Sequence, residues 1–310
     1  QPGWAFATLL ELRRLGFTDY ASFYHRDSSI VVRDTPSVSN GLKTPEGVFI
    51  CLLQAGMRSG SDASIGLRRG LEAAKLKEAV LESLTEVPDT ARRRYSITTE
   101  VYGRTALRRK ELDSIIEDAL NEAFPRWKRT SGQGLRFYCK SDRQSALLGI
   151  QLYSNLSRRN NSIPGSLRDH LAYGLLTLSD VSPGDTVFDP FMGSGTILNA
   201  ARRGFDCGSC IGLEVDENAY RIARAALDGP DASVSNSSFY DFDPSVLPKN
   251  VRLVSNIPFG VRFQSAPTEI LLSFIERSWL KAEQVTILAS RKQAREIAAA
   301  AVAFGVIASR

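Results

Sequence analysis

Two short stretches of this chain hold residue types that could grip a flat base beside an activated donor. Ser255-Asn256-Ile257-Pro258-Phe259-Gly260 follows an apolar run. Asn256 offers a side-chain carbonyl oxygen as an acceptor. Pro258 fixes the local chain and biases Ile257 toward an extended form, which aims the Ile257 carbonyl as a second acceptor. Phe259 offers a ring for stacking, worth roughly 1–3 kcal/mol per base. An exocyclic amine on a purine is a poor nucleophile because its lone pair is delocalised into the ring. Two acceptors aimed at its two hydrogens draw it toward tetrahedral geometry. The remaining work is to hold the amine in line with an electrophilic carbon. A base taken from a stem must first leave the stack.

The second stretch, Val187-Phe188-Asp189-Pro190-Phe191-Met192-Gly193-Ser194-Gly195-Thr196, runs from an apolar strand into a glycine turn. Ligands of open α/β sheets sit beyond the carboxyl ends of the strands, where Asp189 is expected. Gly193 and Gly195 lack a Cβ, so the backbone can turn sharply and approach a ligand. The helix that follows offers free N–H groups at Thr196 and its neighbours. Glu214 closes the next strand, where a carboxylate can bridge two ribose hydroxyls; NAD and S-adenosylmethionine sites share that feature. Leu198 stands where a dinucleotide fingerprint wants its third glycine, which favours a ligand without a pyrophosphate. A sulfonium methyl donor fits, and its methyl is already activated, so no metal is required. Either loop alone could be a bare turn. Placed together at strand ends of one sheet, they point to methyl transfer onto a base nitrogen.

The elements that would position these loops are legible from periodicity. Ala5, Leu9 and Leu12 share a helical face within residues 3–16, closed by Gly16. Tyr20–Tyr24 and Ser29–Val32 read as short strands, residues 46–56 as a further helix, and Ser59–Ser64 as a loop. Then come a helix over 71–84, a strand over 95–102, and a helix over 111–124 that shows Leu112, Ile115, Ile116, Ala119, Leu120, Ala123 and Phe124 on one face. Leu135, Phe137 and Cys139 alternate inward along a strand, and 146–153 is another. Residues 158–161 read as a linker. Beyond it, a helix over 166–178 precedes alternating strands and helices: strands at 186–189, 209–215, 251–255 and 284–289, helices at 196–203 and 217–227, and one helix between the last two strands. Such alternation implies a parallel sheet covered on both faces. Three domains follow, at 1–60, 61–160 and 161–310.

Net charge is +5, unevenly spread. Residues 1–160 hold 25 Lys and Arg against 18 Asp and Glu, whereas 161–310 hold 14 against 16. Basic surface attracts phosphate backbones. Arg92, Arg93 and Arg94, then Arg104, Arg108, Arg109 and Lys110, then Arg126, Lys128 and Arg129 beside Trp127, form an expected RNA face. Cys51 and Cys139 fall in apolar patterns and are expected to be buried. Cys207 and Cys210 form a C-x-x-C without a second ligand pair, and are read as structural. His170 is read as structural too, because no acid–base step demands it; His25 lies far off in sequence. Few cysteines, no secretion signal before the first helix and no long apolar run lead to the expectation of a cytoplasmic protein outside membranes.

With these residues in hand, the third domain resembles the class I methyltransferases that carry a D-P-F-x-G-S-G-T loop and an N-x-P-[FY]-G loop. Residues 1–160 resemble the ferredoxin-like plus THUMP arrangement that precedes such a domain in RNA guanine-N2 methyltransferases. Tyr95–Gly103, Lys110–Phe124, Gly134–Asp142 and Ala146–Arg159 carry that likeness, and Ile163–Arg168 resembles the family's entry into the catalytic domain. The fold implied is α/β, a Rossmann-like domain behind two α+β domains. The activity implied is transfer of a methyl group from S-adenosylmethionine to N2 of a tRNA acceptor-stem guanosine of the guanosine-6 type, leaving S-adenosylhomocysteine, by a monomer. By the likeness, Asp189, Phe191, Gly193, Ser194, Gly195 and Thr196 line the methionine part and Glu214 the ribose. Asn256, Pro258 and Phe259 hold the guanine, and Arg168 stands near the pocket mouth.

The chain departs from the pattern in places. Ser237, Ser238 and Phe239 occupy the stretch where the family has an adenine-contacting aspartate, which leaves Asp241 as the candidate. Ile257 replaces a frequent proline and keeps the carbonyl. The chain reaches Arg310 before the last expected strand. The rival readings are a 23S rRNA guanine-N2 methyltransferase, a DNA adenine-N6 methylase, a dehydrogenase, and a non-catalytic THUMP RNA-binding protein.

Overall fold

The structure, a computed structural model, describes residues 5–16, 20–24, 29–32, 42–57, 62–83, 93–154, 166–257, 282–290, 293–295 and 299. The chain divides into two compact units, Gln1–Asn155 and Leu156–Arg310.

The first unit opens with α1 (Ala5–Arg14), followed by an antiparallel pair, β1 (Tyr20–Tyr24) and β2 (Ser29–Val32). Leu12 packs on Leu42, with Ile30 and Val48 against them. The Glu11 carboxylate accepts from the N–H groups of Lys43 and Thr44 at 2.8 and 2.9 Å, which fixes the chain leaving this layer. Next come β3 (Gly47–Gly56), α2 (Asp62–Gly70), α3 (Ala73–Ser83), β4 (Arg94–Val101), α4 (Arg109–Ala123), β5 (Lys128–Arg129), β6 (Leu135–Ser141) and β7 (Ser145–Ser154). Their strands form one mixed sheet in the order β3-β7-β6-β4-β5.

Residues 47–56 are thus a strand, not the helix expected over 46–56. Val48, Phe49 and Ile50 are β-branched or aromatic, and the run pairs antiparallel with β7 along its length. The strand at 47–56 therefore shares a sheet with residues 94–154. Helix α2 occupies part of the stretch read as a loop; Ala63 and Leu67, spaced by four, are both buried, although Gly66 between them weakens the pattern. Helix α4 buries the face expected of it, and Leu112, Ile116 and Leu120 are fully inaccessible. Each contributes about 2–3 kcal/mol by leaving water. Cys139 is buried and its thiol is pushed up to about 12 by that burial. Cys51 is exposed, contrary to expectation, because β3 is an edge strand whose register shifts between Cys51 and Leu53.

The second unit consists of α5 (Asp169–Leu178), β8 (Thr186–Asp189), α6 (Thr196–Gly204), β9 (Ser209–Leu213), α7 (Glu217–Ala226), β10 (Ala232–Ser235), β11 (Val251–Asn256) and β12 (Ala282–Leu288). All strand pairs are parallel, in the order β10-β9-β8-β11-β12. The chain moves outward in one direction from β8, then returns to start β11 on its other side. That reversal opens a crevice beyond the carboxyl ends of β8 and β11. Beneath it, Phe188, Leu213, Leu253 and Ile257 pack with Phe239 and Leu247. The helix expected between the last two strands, the linker at 158–161 and His25 lie outside the described residues; His170 is buried on α5. Among the described residues, no helix is long and apolar enough to cross a membrane.

Candidate functional site

The crevice is built from the ends of β8, β9 and β11. Asp189 is the last residue of β8 and only 1% exposed. Its Oδ1 accepts from the Ser255 hydroxyl on β11 at 2.6 Å and from the Phe191 N–H at 3.2 Å. Burial pushes this carboxyl up to about 7; the two donors pull it back down, and the Glu214 charge pushes it up. Ser255 is thus a site residue that reasoning from the sequence missed. The available signal was a small hydroxyl breaking the apolar run of Val251, Leu253 and Val254 one step before Asn256.

Glu214 follows β9 and laces the glycine turn to that strand. Its Oε2 accepts from the Gly193 N–H at 2.8 Å and its Oε1 from the Asp216 N–H at 2.8 Å. Gly193 and Gly195 both have positive φ, of 56° and 79°. Their surroundings differ. A Cβ on Gly193 would meet nothing within 4 Å, so this glycine faces open space. A Cβ on Gly195 would lie 2.9 Å from Leu227 and 3.2 Å from Ala223. Gly195 therefore lets α6 pack on α7, and of the two glycines expected to admit a ligand Gly193 is the one that borders open space. Thr196 is the first residue of α6, with Gly195 as its N-cap. The Ser194 and Ser166 hydroxyls meet at 3.1 Å, which draws the segment before α5 onto the turn. Exposed Arg168 directly precedes α5.

Asn256 ends β11, next to β8 in the sheet. Its Oδ1 is buried and has no hydrogen-bond partner among the described residues. A buried acceptor in that condition costs about 1–3 kcal/mol, so its persistence needs a reason. Ile257 continues the ladder, its N–H donating to the Leu288 carbonyl at 3.1 Å, and its side chain is buried in the core. Pro258 and Phe259 lie outside the described residues.

Phe191 is half-buried, with its ring 5.8 Å from that of Phe239. Asp241 sits exposed at the end of a single 3-10 turn, Phe239–Asp241, after β10. Val215, directly after Glu214, is 64% exposed. A large apolar side chain left in the open beside Glu214 was not singled out from the sequence. Among the described residues, no group of three His, Cys, Asp or Glu side chains is placed to hold a metal.

In the first unit, the basic runs separate into two groups. Parallel pairing of β4 with β5 sets Arg94 beside Lys128 and Tyr95 beside Arg129. Arg104, Arg108, Arg109 and Lys110 follow the other end of β4, about 25 Å away along an eight-residue strand. The arginine and lysine side chains of both groups are exposed; Arg92 is outside the described residues. Trp127 does not present a free ring as expected: it stacks on Phe124, centroids 4.1 Å apart, against the core.

Residues 157–286 match the family model UPF0020, described as the RMKL-like methyltransferase domain. A curated relative, the tRNA (guanine(6)-N2)-methyltransferase of Thermus thermophilus, is 37% identical over 127 residues. That stretch is 38% of this chain and 37% of the relative's length. Among solved structures, TrmN from Thermus thermophilus superposes with a TM-score of 0.69 at 21% identity, covering 96% of this chain and 89% of that one. SMU.472, complexed with SAH, gives 0.69 at 15% identity, covering 99% and 91%. At those identities the structures establish the fold alone.

Proposed function

We propose that this protein is an S-adenosylmethionine-dependent tRNA guanine-N2 methyltransferase that acts on guanosine-6 of the acceptor stem. The observation that carries the reading is the 2.6 Å bond from Ser255 to Asp189. It ties the strand end that would face the methyl donor to the strand end that would face the base, one residue before Asn256. The resemblance of the catalytic domain to the Thermus tRNA enzyme supports the choice of guanine and of tRNA.

The residues present fit such a donor. Gly193 leaves open space beside the turn, Glu214 can receive ribose hydroxyls on the lone pairs its two backbone bonds leave over, and Val215 offers an apolar edge for a ring. When bound, the donor supplies a sulfonium methyl that needs no further activation. Asp189, as a carboxylate, attracts the positive charge of the methionine ammonium. Asn256 accepts one hydrogen of the guanine amine on the Oδ1 that the protein leaves unsatisfied, the Ile257 carbonyl accepts the other, and Phe259 stacks on the base. Holding the amine so removes its conjugation and orients its lone pair for in-line attack. The amine's surplus proton leaves to solvent after transfer.

The first unit serves, in this reading, as ferredoxin-like and THUMP modules, with the strand at 47–56 belonging to the sheet of the second rather than to a module ending at residue 60. The exposed cations at both ends of β4 contact tRNA phosphates there, and binding weakens steeply with salt. The decisive experiment incubates the protein with unmodified tRNA and methyl-deuterated S-adenosylmethionine, then digests the tRNA to nucleosides to identify the product and to oligonucleotides to locate it, both read by mass spectrometry. Labelled N2-methylguanosine is expected at position 6 with the native protein and not with Asn256→Ala. Equal product from both would remove Asn256 from the mechanism. Titration calorimetry showing no S-adenosylmethionine binding by folded protein would favour a non-catalytic RNA-binding role.

A further inference from the structure

One pair of nucleophilic side chains lies apart from the crevice. Cys207 and Cys210 flank the turn entering β9, and their Sγ atoms are 3.5 Å apart. The turn's backbone is fixed. The N–H groups of Gly208 and Ser209 donate to the Asp185 carbonyl at 2.9 and 3.4 Å. A Cβ on Gly208 would press to 2.7 Å from the Gly184 carbonyl oxygen, so the close approach requires glycine. The hydroxyls of Ser209 and Thr186 meet at 2.8 Å. A held turn thus keeps the two sulfurs in contact, and a disulfide between them would bring that separation down to about 2 Å.

The two thiols differ in surroundings. Cys210 is fully buried, and its S–H is 3.6 Å from the Leu198 carbonyl on α6. Cys207 is half-buried. The hydrogen bond from Cys210 holds the Cys207 thiol below its ordinary value, against the opposing effect of burial; Asp231 nearby raises it, and Arg202, itself paired with Asp231 at 2.7 Å, lowers it. That same bond, together with burial, pushes Cys210 up. The accessible sulfur is the one with more thiolate, and the buried one stands behind it, which is the arrangement of attacking and resolving thiols.

We infer that Cys207 and Cys210 form a redox-active dithiol site that reduces small disulfides of the glutathione type. The Cys207 thiolate attacks one sulfur of the disulfide, forming a mixed disulfide and releasing one thiolate. Cys210 then gives its proton to the released thiolate and attacks the Cys207 sulfur. The Cys207–Cys210 bond forms and the second thiolate leaves. The protein gives up two electrons, and the small disulfide becomes two thiols. The site sits at the start of β9, whereas Glu214 follows its end, so this inference does not depend on methyl transfer.

The test treats the full chain with glutathione disulfide near neutral pH, then alkylates and digests with trypsin. Cleavage after Arg203 and Arg221 leaves both thiols on one peptide. That peptide is expected to lose two hydrogens and to refuse the alkylating agent. Cys210→Ser should stop at a glutathione adduct on Cys207, and Cys207→Ser should leave Cys210 unmodified. If a variant does not fold, the native protein still decides: Cys207 should alkylate at least about ten-fold faster than Cys210. Retention of both thiols by native protein in excess glutathione disulfide, or uptake of glutathione at Cys210 first, would overturn the assignment.

Discussion

Neighbouring strands β8 and β11 end in polar side chains with opposite fates. Asp189 is enclosed and holds two donors on one oxygen. Asn256 keeps a buried oxygen that nothing among the described residues meets. The protein gives the first group two partners of its own; in the proposed function the second is left for the bound base. A carboxylate enclosed that tightly also has a cost, which gives the largest expected effect. Its pKa rises from 3.8 to about 7 on folding, so the folded state binds the proton more tightly than the unfolded one. The stability this group contributes is therefore fully present below about pH 4 and is lost as pH rises through about 7, in total on the order of 4 kcal/mol. Denaturant unfolding between about pH 4 and pH 8 should show that slope in the native protein and not in Asp189→Asn. A parallel slope in both would mean that the carboxyl is ionised throughout.

The contrast predicts a different signature for Asn256. Removing a group that acts only on the bound base should cost turnover without costing stability. Asn256→Ala is expected to lower the methylation rate by about 10²–10³-fold, the range seen when one catalytic hydrogen-bonding group is removed. Its midpoint of thermal unfolding should stay level or rise, because the unsatisfied oxygen leaves with the side chain. Calorimetric affinity for S-adenosylmethionine should hold. A variant that loses stability and activity together would show Asn256 to be a structural residue.

The two glycines of the turn sharpen the comparison on the donor side. Gly195→Ala adds a methyl against Leu227 and Ala223 at φ 79°, and is expected to destabilise the fold by about 2 kcal/mol or more. Gly193→Ala meets only the backbone penalty at φ 56°, about 1 kcal/mol, and should instead weaken donor binding where the space is open. Thermal melts and calorimetry on both variants should separate the two roles. Matching profiles would mean that the turn acts as one unit.

Much of this is legible in the amino-acid sequence. The strand-turn-helix pattern around Asp189, Gly193 and Thr196, and the inward face of α4, follow from local periodicity and glycine placement. What escaped depended on contacts between distant segments. Residues 47–56 form a strand because β7 pairs with them a hundred residues on. The exposure of Cys51 follows from that edge position. Trp127 turns inward because Phe124 lies on the helix end behind it. The division of labour between Gly193 and Gly195 depends on where α7 lies. Ser255 looked like one small residue in an apolar run, and only the adjacency of β11 and β8 gives its hydroxyl a partner.

Ser255 bears most directly on the contrast between the two strand ends, and near pH 5 its substitution should have a small effect. Ser255→Ala deletes the closer of the two donors on Asp189 without touching the Asn256 side chain. The loss depends on the charge of the acceptor. Near pH 5 the Asp189 carboxyl is neutral in the folded protein, and a neutral hydrogen bond is worth about 0.5–1.5 kcal/mol. Near pH 8 it is ionised, and the same bond is worth about 1.5–3 kcal/mol. The variant should therefore lose more stability at the higher pH, and the pH-dependent fall should move upward because a group that favours the carboxylate is gone. Paired unfolding curves at the two pH values measure the difference. The same penalty at both would show that Asp189 keeps one charge state across that range, and the enclosed, proton-binding strand end would then have to be abandoned, leaving the contrast to rest on Asn256 alone.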